Sequence, residues 1–307
     1  MLKRIVAIAF AFLITAAAAL AATPREKLLV STDWLKQHVH DPNLVLLQVG
    51  DKESFEAGHI AGAHAITSLQ DIHVTDRTMN GLILEMPSAD ELRKRLENAG
   101  ISDDSRIIVY YGKDWVSPST RILFTLEYAG LGARASMLDG GLDAWTHAGG
   151  EVTKDATPAK VGKLSLLKVK PELIVKADFV RSHIGKKGYA IVDGRTSVFY
   201  DGVEAGMDSD QSKQRLGHIK SAHSIPFTSI TDDQLMVKST DELRAMFEKA
   251  GVGPKDTVIG YCHIGMQTTA MLLAARILGH PVLLYDGSYQ DWNRHADYPV
   301  EGPAAGQ

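Results

Sequence analysis

One order of motifs runs through this chain twice, and such a duplication constrains the fold more tightly than any single motif does. The first half opens with Val30-Ser31-Thr32-Asp33-Trp34-Leu35, a helix start, followed by an apolar run from Leu44 to Val49. The second half opens with Val175-Lys176-Ala177-Asp178-Phe179-Val180, followed by a run from Tyr189 to Asp193. Then Gly58-His59-Ile60-Ala61-Gly62-Ala63 is echoed by Gly217-His218-Ile219-Lys220-Ser221-Ala222. Amphipathic helices are predicted over Ala89–Ala99 and Thr240–Ala250, each stopped by a glycine, Gly100 or Gly251. A second buried strand follows in each half, Arg106 to Tyr111 and Thr257 to Tyr261. After a further helix, a last strand ends on Asp139-Gly140-Gly141 with Trp145 in one half, and on Asp286-Gly287-Ser288 with Trp292 in the other. Short β-branched runs alternating with helices read as right-handed βαβ units around a parallel sheet covered on both faces. The fold class expected is α/β, in two domains that are each a mostly parallel sheet flanked by helices.

The length of 307 residues accommodates two domains of ordinary size. Residues 22–150 are expected to form the first and residues 169–307 the second. Residues 151–168 join them, and the start of that stretch, Glu151 to Gly162, has little periodicity and reads as a linker. The second half also carries extra residues around Gly202–Gln214, rich in Gly, Asp, Ser and Gln, which read as a loop.

Ahead of both domains, Lys3 and Arg4 precede an apolar run from Ile5 to Leu20 and the small-residue pattern Ala19-Leu20-Ala21. Residues 1–21 thus read as a secretory signal peptide, the run being shorter than the roughly 20 residues a spanning helix needs. Cleavage leaves 31 basic against 37 acidic residues, a formal charge of −6. The mature protein is expected to be periplasmic or secreted, without a membrane segment.

A net charge of −4 for the whole chain and a pI near 6.3 argue against a nucleic-acid partner. A single cysteine excludes an internal disulfide and any cysteine-cluster metal site, and no histidine shows zinc-ligand spacing with nearby carboxylates. That cysteine, Cys262, directly follows the strand Thr257–Tyr261. The segment His263-Ile264-Gly265-Met266-Gln267-Thr268 then leads into helical periodicity over Thr269–Leu278. In a parallel α/β sheet, sites form beyond the carboxyl ends of strands. A tight curl there, permitted by Gly265, aims backbone N–H groups and a helix N-terminus at one point. Such a cradle is expected to depress the thiol pKa and to hold an anion, with Thr268 or Thr269 capping the helix. The alternative for the cysteine is a buried, inert apolar residue at a strand end. The two halves differ here, because Tyr111 falls opposite Cys262.

With these motifs in this order and duplicated, the chain resembles a two-domain rhodanese of the thiosulfate/3-mercaptopyruvate sulfurtransferase family. The likeness runs from about Val30 to Trp292 and includes Asp193-Gly194-Arg195 and the Cys262–Thr268 loop. The resemblance implies a silent N-terminal domain and a C-terminal domain whose Cys262 is the nucleophile. It implies a ping-pong reaction, in which the thiolate takes a sulfane sulfur from thiosulfate or a related donor such as 3-mercaptopyruvate. The persulfide then passes the sulfur to cyanide or a thiol, with no metal or organic cofactor. It also makes Arg195 the donor-binding arginine, alongside His263, Ile264, Gly265, Met266, Gln267 and Thr268 of the loop. A guanidinium fork suits an oxyanion; an ion pair with Asp193 is the competing reading of Arg195.

The chain departs from the family in its basic residues. Where thiosulfate enzymes carry Arg and Lys after the cysteine, it has His263 and Ile264; of the mercaptopyruvate pattern it keeps only Gly265 and Thr268. Thr196–Asp201 contains no second donor-binding base, leaving Lys213, Arg215 and Lys220 as candidates. His263 is a group that titrates near neutral pH in water. His59 and His218 recur in both halves, the silent one included, which favours a structural role, and Trp145 and Trp292 read as packing residues. A phosphatase or arsenate reductase loop would need a closing arginine, absent at Gln267, Thr268 and Thr269. The remaining alternative is a non-catalytic persulfide carrier.

Overall fold

The computed structural model describes residues 22–78, 81–112, 116–157, 160–206 and 215–302. The signal peptide read at residues 1–21 and the candidate base Lys213 lie outside the described residues. Each half builds a five-stranded sheet. The first contains Leu29–Val30 (β1), Leu44–Val49 (β2), His64–Ile66 (β3), Arg106–Tyr111 (β4) and Ala135–Leu138 (β5), in the order β1-β5-β4-β2-β3. The second contains Ile174–Val175 (β6), Tyr189–Asp193 (β7), His223–Ser224 (β8), Thr257–Tyr261 (β9) and Val282–Tyr285 (β10), in the matching order β6-β10-β9-β7-β8. Every pairing in both sheets is parallel. The central strands are apolar on both faces because helices cover both, as the continuous runs Ile107-Ile108-Val109 and Val258-Ile259 require.

The helices Ala89–Asn98 (α1), Ser117–Tyr128 (α2), Thr240–Lys249 (α3) and Thr268–Ile277 (α4) alternate with these strands. α1 and α3 each start on a serine whose side chain accepts an amide of the first turn, Ser88 from Glu91 and Ser239 from Glu242. Each stops at a glycine with positive φ, +86° at Gly100 and +87° at Gly251. α2 and α4, which follow the central strands, are buried nearly all round and pack against each other between the domains. Their residues Leu123, Phe124, Leu272 and Leu273 belong to one apolar cluster containing core residues of both halves. Each such side chain contributes about 1.5–3 kcal/mol on burial, so the two domains share a core.

The repeated Gly-His-Ile motifs do the same structural work twice. His59–Ile60 pairs antiparallel with Val152–Thr153, and His218–Ile219 with Val300–Glu301. His59 Nδ1 bonds the carbonyl of Phe55 (2.9 Å) and stacks on its ring; His218 Nδ1 bonds that of Tyr200 (2.8 Å) and likewise stacks. Trp145 and Trp292 are buried in the two sheet-backing clusters. The stretch read as a linker is pinned to the first domain. Gly162 N–H donates to the carbonyl of Glu97, Ser165 binds the carboxylate of Asp103, and Leu164 is buried. Among the described residues no helix is long and apolar enough to cross a membrane. Among them, too, no three His, Cys, Asp or Glu side chains converge as for a metal ion.

Candidate active site

Cys262 is fully buried at the carboxyl end of β9, and the segment behind it turns its amides inward. The backbone N–H groups of Thr268, Ile264 and Gln267 all act on the thiol, each favouring its ionised form. Five of the carbonyls from Cys262 to Gln267 find donors elsewhere. Cys262 O accepts from Tyr289 N (2.9 Å), His263 O from Gln290 N (3.0 Å) and Gly265 O from Arg121 Nη1 (3.1 Å). Met266 O accepts from the Thr269 hydroxyl (2.6 Å), and Gln267 O from Ala270 N (3.1 Å). Gly265 makes the turn at φ +78°, where a Cβ would lie 2.7 Å from the carbonyl oxygen of Asp286. Gly194 allows the end of β7 to approach equally closely, since a Cβ there would meet Thr268 Cα at 2.7 Å.

The helix start differs from the expectation. Neither Thr268 nor Thr269 caps α4: its N-cap is Gln267, with no side-chain cap bond. The first-turn amides of Thr269 and Ala270 bond instead to the backbone carbonyls of Met266 and Gln267, at 3.0 and 3.1 Å, while the amide of Thr268 acts on the thiol. Thr269 reaches the Met266 carbonyl and Thr120 of the other domain, while Thr268 Oγ1 is buried without a hydrogen-bond partner.

The expected depression of the thiol pKa is not what the free protein shows. Burial pushes the Cys262 thiol up, and Asp193 adds to it; the three amides act against both and are outweighed. Nor does His263 supply charge. Its ring is buried edge-on to Phe199 at 4.6 Å, and burial, helped by Arg195, pushes it down to about 4, so it is neutral at pH 7.

Arg195 is buried in a bidentate ion pair with Asp193. Nη2 lies 2.6 Å and Nε 3.0–3.1 Å from the carboxylate oxygens, and Nη2 also donates to the carbonyl of Gly217 (2.7 Å). The guanidinium stacks over Tyr289, 4.2 Å from the ring centre. This is the ion-pair geometry that competed with donor binding. Arg215 is likewise committed to the carbonyls of Tyr298 and Trp292. Met266 lines an interdomain cavity of about 260 Å³ with Val49, Tyr111 and Pro118.

Internal comparison of the domains explains why only one carries a thiol. Tyr110 Oη accepts from Ile60 N, as Tyr261 Oη does from Ile219 N, which equates Tyr111 with Cys262. The registers Gln48↔Tyr110 and Asp193↔Tyr261 then place Gln48 opposite Asp193 and Gly50 opposite Arg195. Both the thiol and the ion pair are thus confined to the second domain. Sequence reasoning missed Ser288, whose hydroxyl accepts from Cys262 N (3.2 Å) and donates to Tyr285 O (2.9 Å). The repeated Asp-Gly-x segment was the signal for it, since Gly141 is its counterpart. Arg121 and Tyr289 carry no such signal, and Asp286 only its place in that segment, because their partners lie far away in sequence.

The rhodanese-like domain family matches residues 31–148 and 176–295. The chain is 28% identical over 285 residues to the sulfur carrier protein TtuD of Thermus thermophilus, covering 89% of this chain and 96% of the relative. It is 30% identical over 295 residues to a putative thiosulfate sulfurtransferase of Saccharopolyspora erythraea, covering 91% and 98%. To the 3-mercaptopyruvate sulfurtransferase of Escherichia coli K12 it is 28% identical over 283 residues, covering 89% and 97%. With the same sheet built twice and a family match over both halves, this chain belongs to the rhodanese family, as a tandem of two rhodanese-like domains.

Proposed function

We propose that the protein moves a sulfane sulfur through a persulfide on Cys262, from thiosulfate or 3-mercaptopyruvate to a thiophilic acceptor such as cyanide or a thiol. The observation that carries this reading is the convergence of three loop amides on Sγ. The same donors that face the thiol suit the extra sulfur and the charge of a persulfide anion. With thiosulfate, the thiolate attacks the outer sulfur, the S–S bond breaks, and sulfite leaves with the electron pair. Cyanide then attacks the outer persulfide sulfur; thiocyanate departs and the thiolate returns. Sulfur and charge balance at each step, and the thiol proton goes to solvent in the first.

Donor choice follows from charge. Arg195 is already neutralised by Asp193 and His263 is neutral, so the described residues offer an anion mainly amide dipoles. That arrangement supports a singly charged donor such as 3-mercaptopyruvate better than a dianion. The same shortage of charge, with the likeness to a protein named a sulfur carrier, favours persulfide carriage as the second reading.

Purified protein assayed with thiosulfate and 3-mercaptopyruvate side by side, against cyanide and a thiol, separates these readings. One added sulfur on wild type and none on Cys262→Ser is the expected mass-spectrometric result; turnover by the serine variant overturns the role of Cys262. A persulfide that forms but never transfers to small acceptors identifies a carrier. The pattern in residues 1–21 supports an extracytoplasmic setting, and N-terminal sequencing of exported protein that still begins at Met1 overturns that placement.

A further inference from the structure

We infer that Arg121, in the domain without a cysteine, is a positioning residue for sulfur transfer: its guanidinium holds the Cys262 loop in the shape that presents amides to sulfur. The inference rests on the sulfur-transfer reading above, and it concerns how the second domain's site is kept in shape by the first.

Arg121 stands on α2, fully buried, and every nitrogen of its guanidinium is engaged. Nη1 donates to Gly265 O (3.1 Å), Nη2 to Leu84 O (2.6 Å) and Nε to His73 Nε2 (3.1 Å), while Nη2 also lies 2.7 Å from Asp286 Oδ1. His73 is buried and held well below its ordinary pKa by burial and by Arg121, so its ring is neutral and can accept that bond. Of the five outward carbonyls in the loop, Gly265 O alone is held by a cation, and that cation comes from the other domain.

The placement matters because Gly265 is the pivot. Its carbonyl faces away from the thiol, while Ile264 before it and Gln267 after it turn their amides onto Sγ. Releasing Gly265 O removes a charge-assisted bond inside a dry interface, and the left-handed φ at this residue is then free to relax. Two further contacts strengthen the brace: Thr120 meets Thr269 hydroxyl to hydroxyl at 2.8 Å, and Gln290, whose amide holds His263 O, pairs its side chain with both backbone groups of Ile83.

The duplication supplies a control. Arg25 makes the corresponding kind of interdomain contact on the far side, bonding Asp139 (3.0 Å) and the carbonyls of Val237 and Lys238, none of them in the cysteine loop. Alkylation of Cys262, the sole thiol, is measured against pH in wild type, Arg121→Met, Arg121→Lys and Arg25→Met, together with kcat and KM for whichever donor is active.

The expected result is an upward shift of the alkylation midpoint and a loss of about tenfold or more in kcat/KM for Arg121→Met. Partial recovery is expected in Arg121→Lys, with neither effect in Arg25→Met beyond lowered stability. The inference is overturned if Arg121→Met changes only the melting temperature, or if Arg25→Met moves the alkylation profile equally. If neither Arg121 variant folds, the residue is structural and the inference also fails. Should wild type transfer sulfur from no donor, the sulfur-transfer reading fails, while the alkylation profiles still decide whether Arg121 shapes the loop.

Discussion

Glu85→Gln is the perturbation that most directly tests the burial of a carboxyl between the two domains. Glu85 ends a short strand, Ile83–Glu85, and lines an interdomain cavity of about 330 Å³ with Lys176, Asp286 and Asp291. Its Oε1 is buried without a hydrogen-bond partner. Burial, reinforced by Asp286 and Asp291 and only partly offset by Arg121 and Lys176, pushes its carboxyl up to about 8. The folded protein therefore holds this proton more tightly than the unfolded chain, whose Glu titrates near 4.5. The stability that the group contributes is complete below about pH 4.5 and is lost as pH rises through about 8. At about 1.4 kcal/mol per pH unit, that interval amounts to at most about 5 kcal/mol.

Glutamine has nearly the shape of the protonated acid and does not ionise. Urea midpoints of wild type and variant should nearly coincide at pH 4.5–5 and separate steadily to pH 8–9, with the variant the more stable. The comparison uses the difference at each pH, since two domains need not unfold in one step. Tryptophan fluorescence reports it from both halves, through Trp145 and Trp292. Two curves that stay parallel across the range would refute the reasoning, because Glu85 would then be ionised, or neutralised by a partner, throughout.

Arg195→Ala leaves Asp193 buried without its partner and should cost about 3–5 kcal/mol in stability, measured by denaturation; pairing it with Asp193→Asn should restore much of the loss. Asp193→Asn alone removes the charge that helps to raise the thiol, so the alkylation midpoint of Cys262 should fall. Tyr111→Cys should yield no persulfide on the new thiol in mass spectra, because Gln48 and Gly50 replace Asp193 and Arg195 there and Gly141 replaces Ser288.

The features legible in the sequence are those that local chemistry dictates. Runs such as Ile107-Ile108-Val109 admit little but a doubly covered strand, and Gly100 and Gly251 end their helices at the positive φ that only glycine adopts easily. The lone cysteine between a strand and a helix marked the candidate site for the same reason. What stayed hidden depends on depth and on distant partners. Loop composition does not report that Cys262 lies at full burial, where desolvation outweighs the dipoles. His263 looked like a neutral-pH titrating group until Phe199 and Arg195 closed around it. Arg121 lies 144 residues from Gly265, and no spacing rule joins them.

The exchange of residues between the two half-sites shows how a duplicated fold divides its labour. Where the second domain has small Cys262 beside Ser288, the first has large Tyr111 beside Gly141, and a Cβ on Gly141 would sit 2.5 Å from the Tyr111 ring. The volume that the thiol and hydroxyl occupy on one side is filled by a phenol on the other. That phenol is not idle: Tyr111 Oη donates to Leu235 O (2.7 Å), just as Arg121 donates to Leu84 O, and Leu84 and Leu235 share φ near +60°. Two leucines held in a conformation that costs each about 1–2 kcal/mol are thus both pinned by side chains of the first domain, Leu235 across the interface by Tyr111 and Leu84 within its own domain by Arg121. The interface stayed reciprocal, with Asp139 accepting from Val237 N and Asp286 from Met86 N, both at 2.8 Å. The half without a cysteine keeps the bracing intact, which is the arrangement required if that domain serves to hold the Cys262 loop.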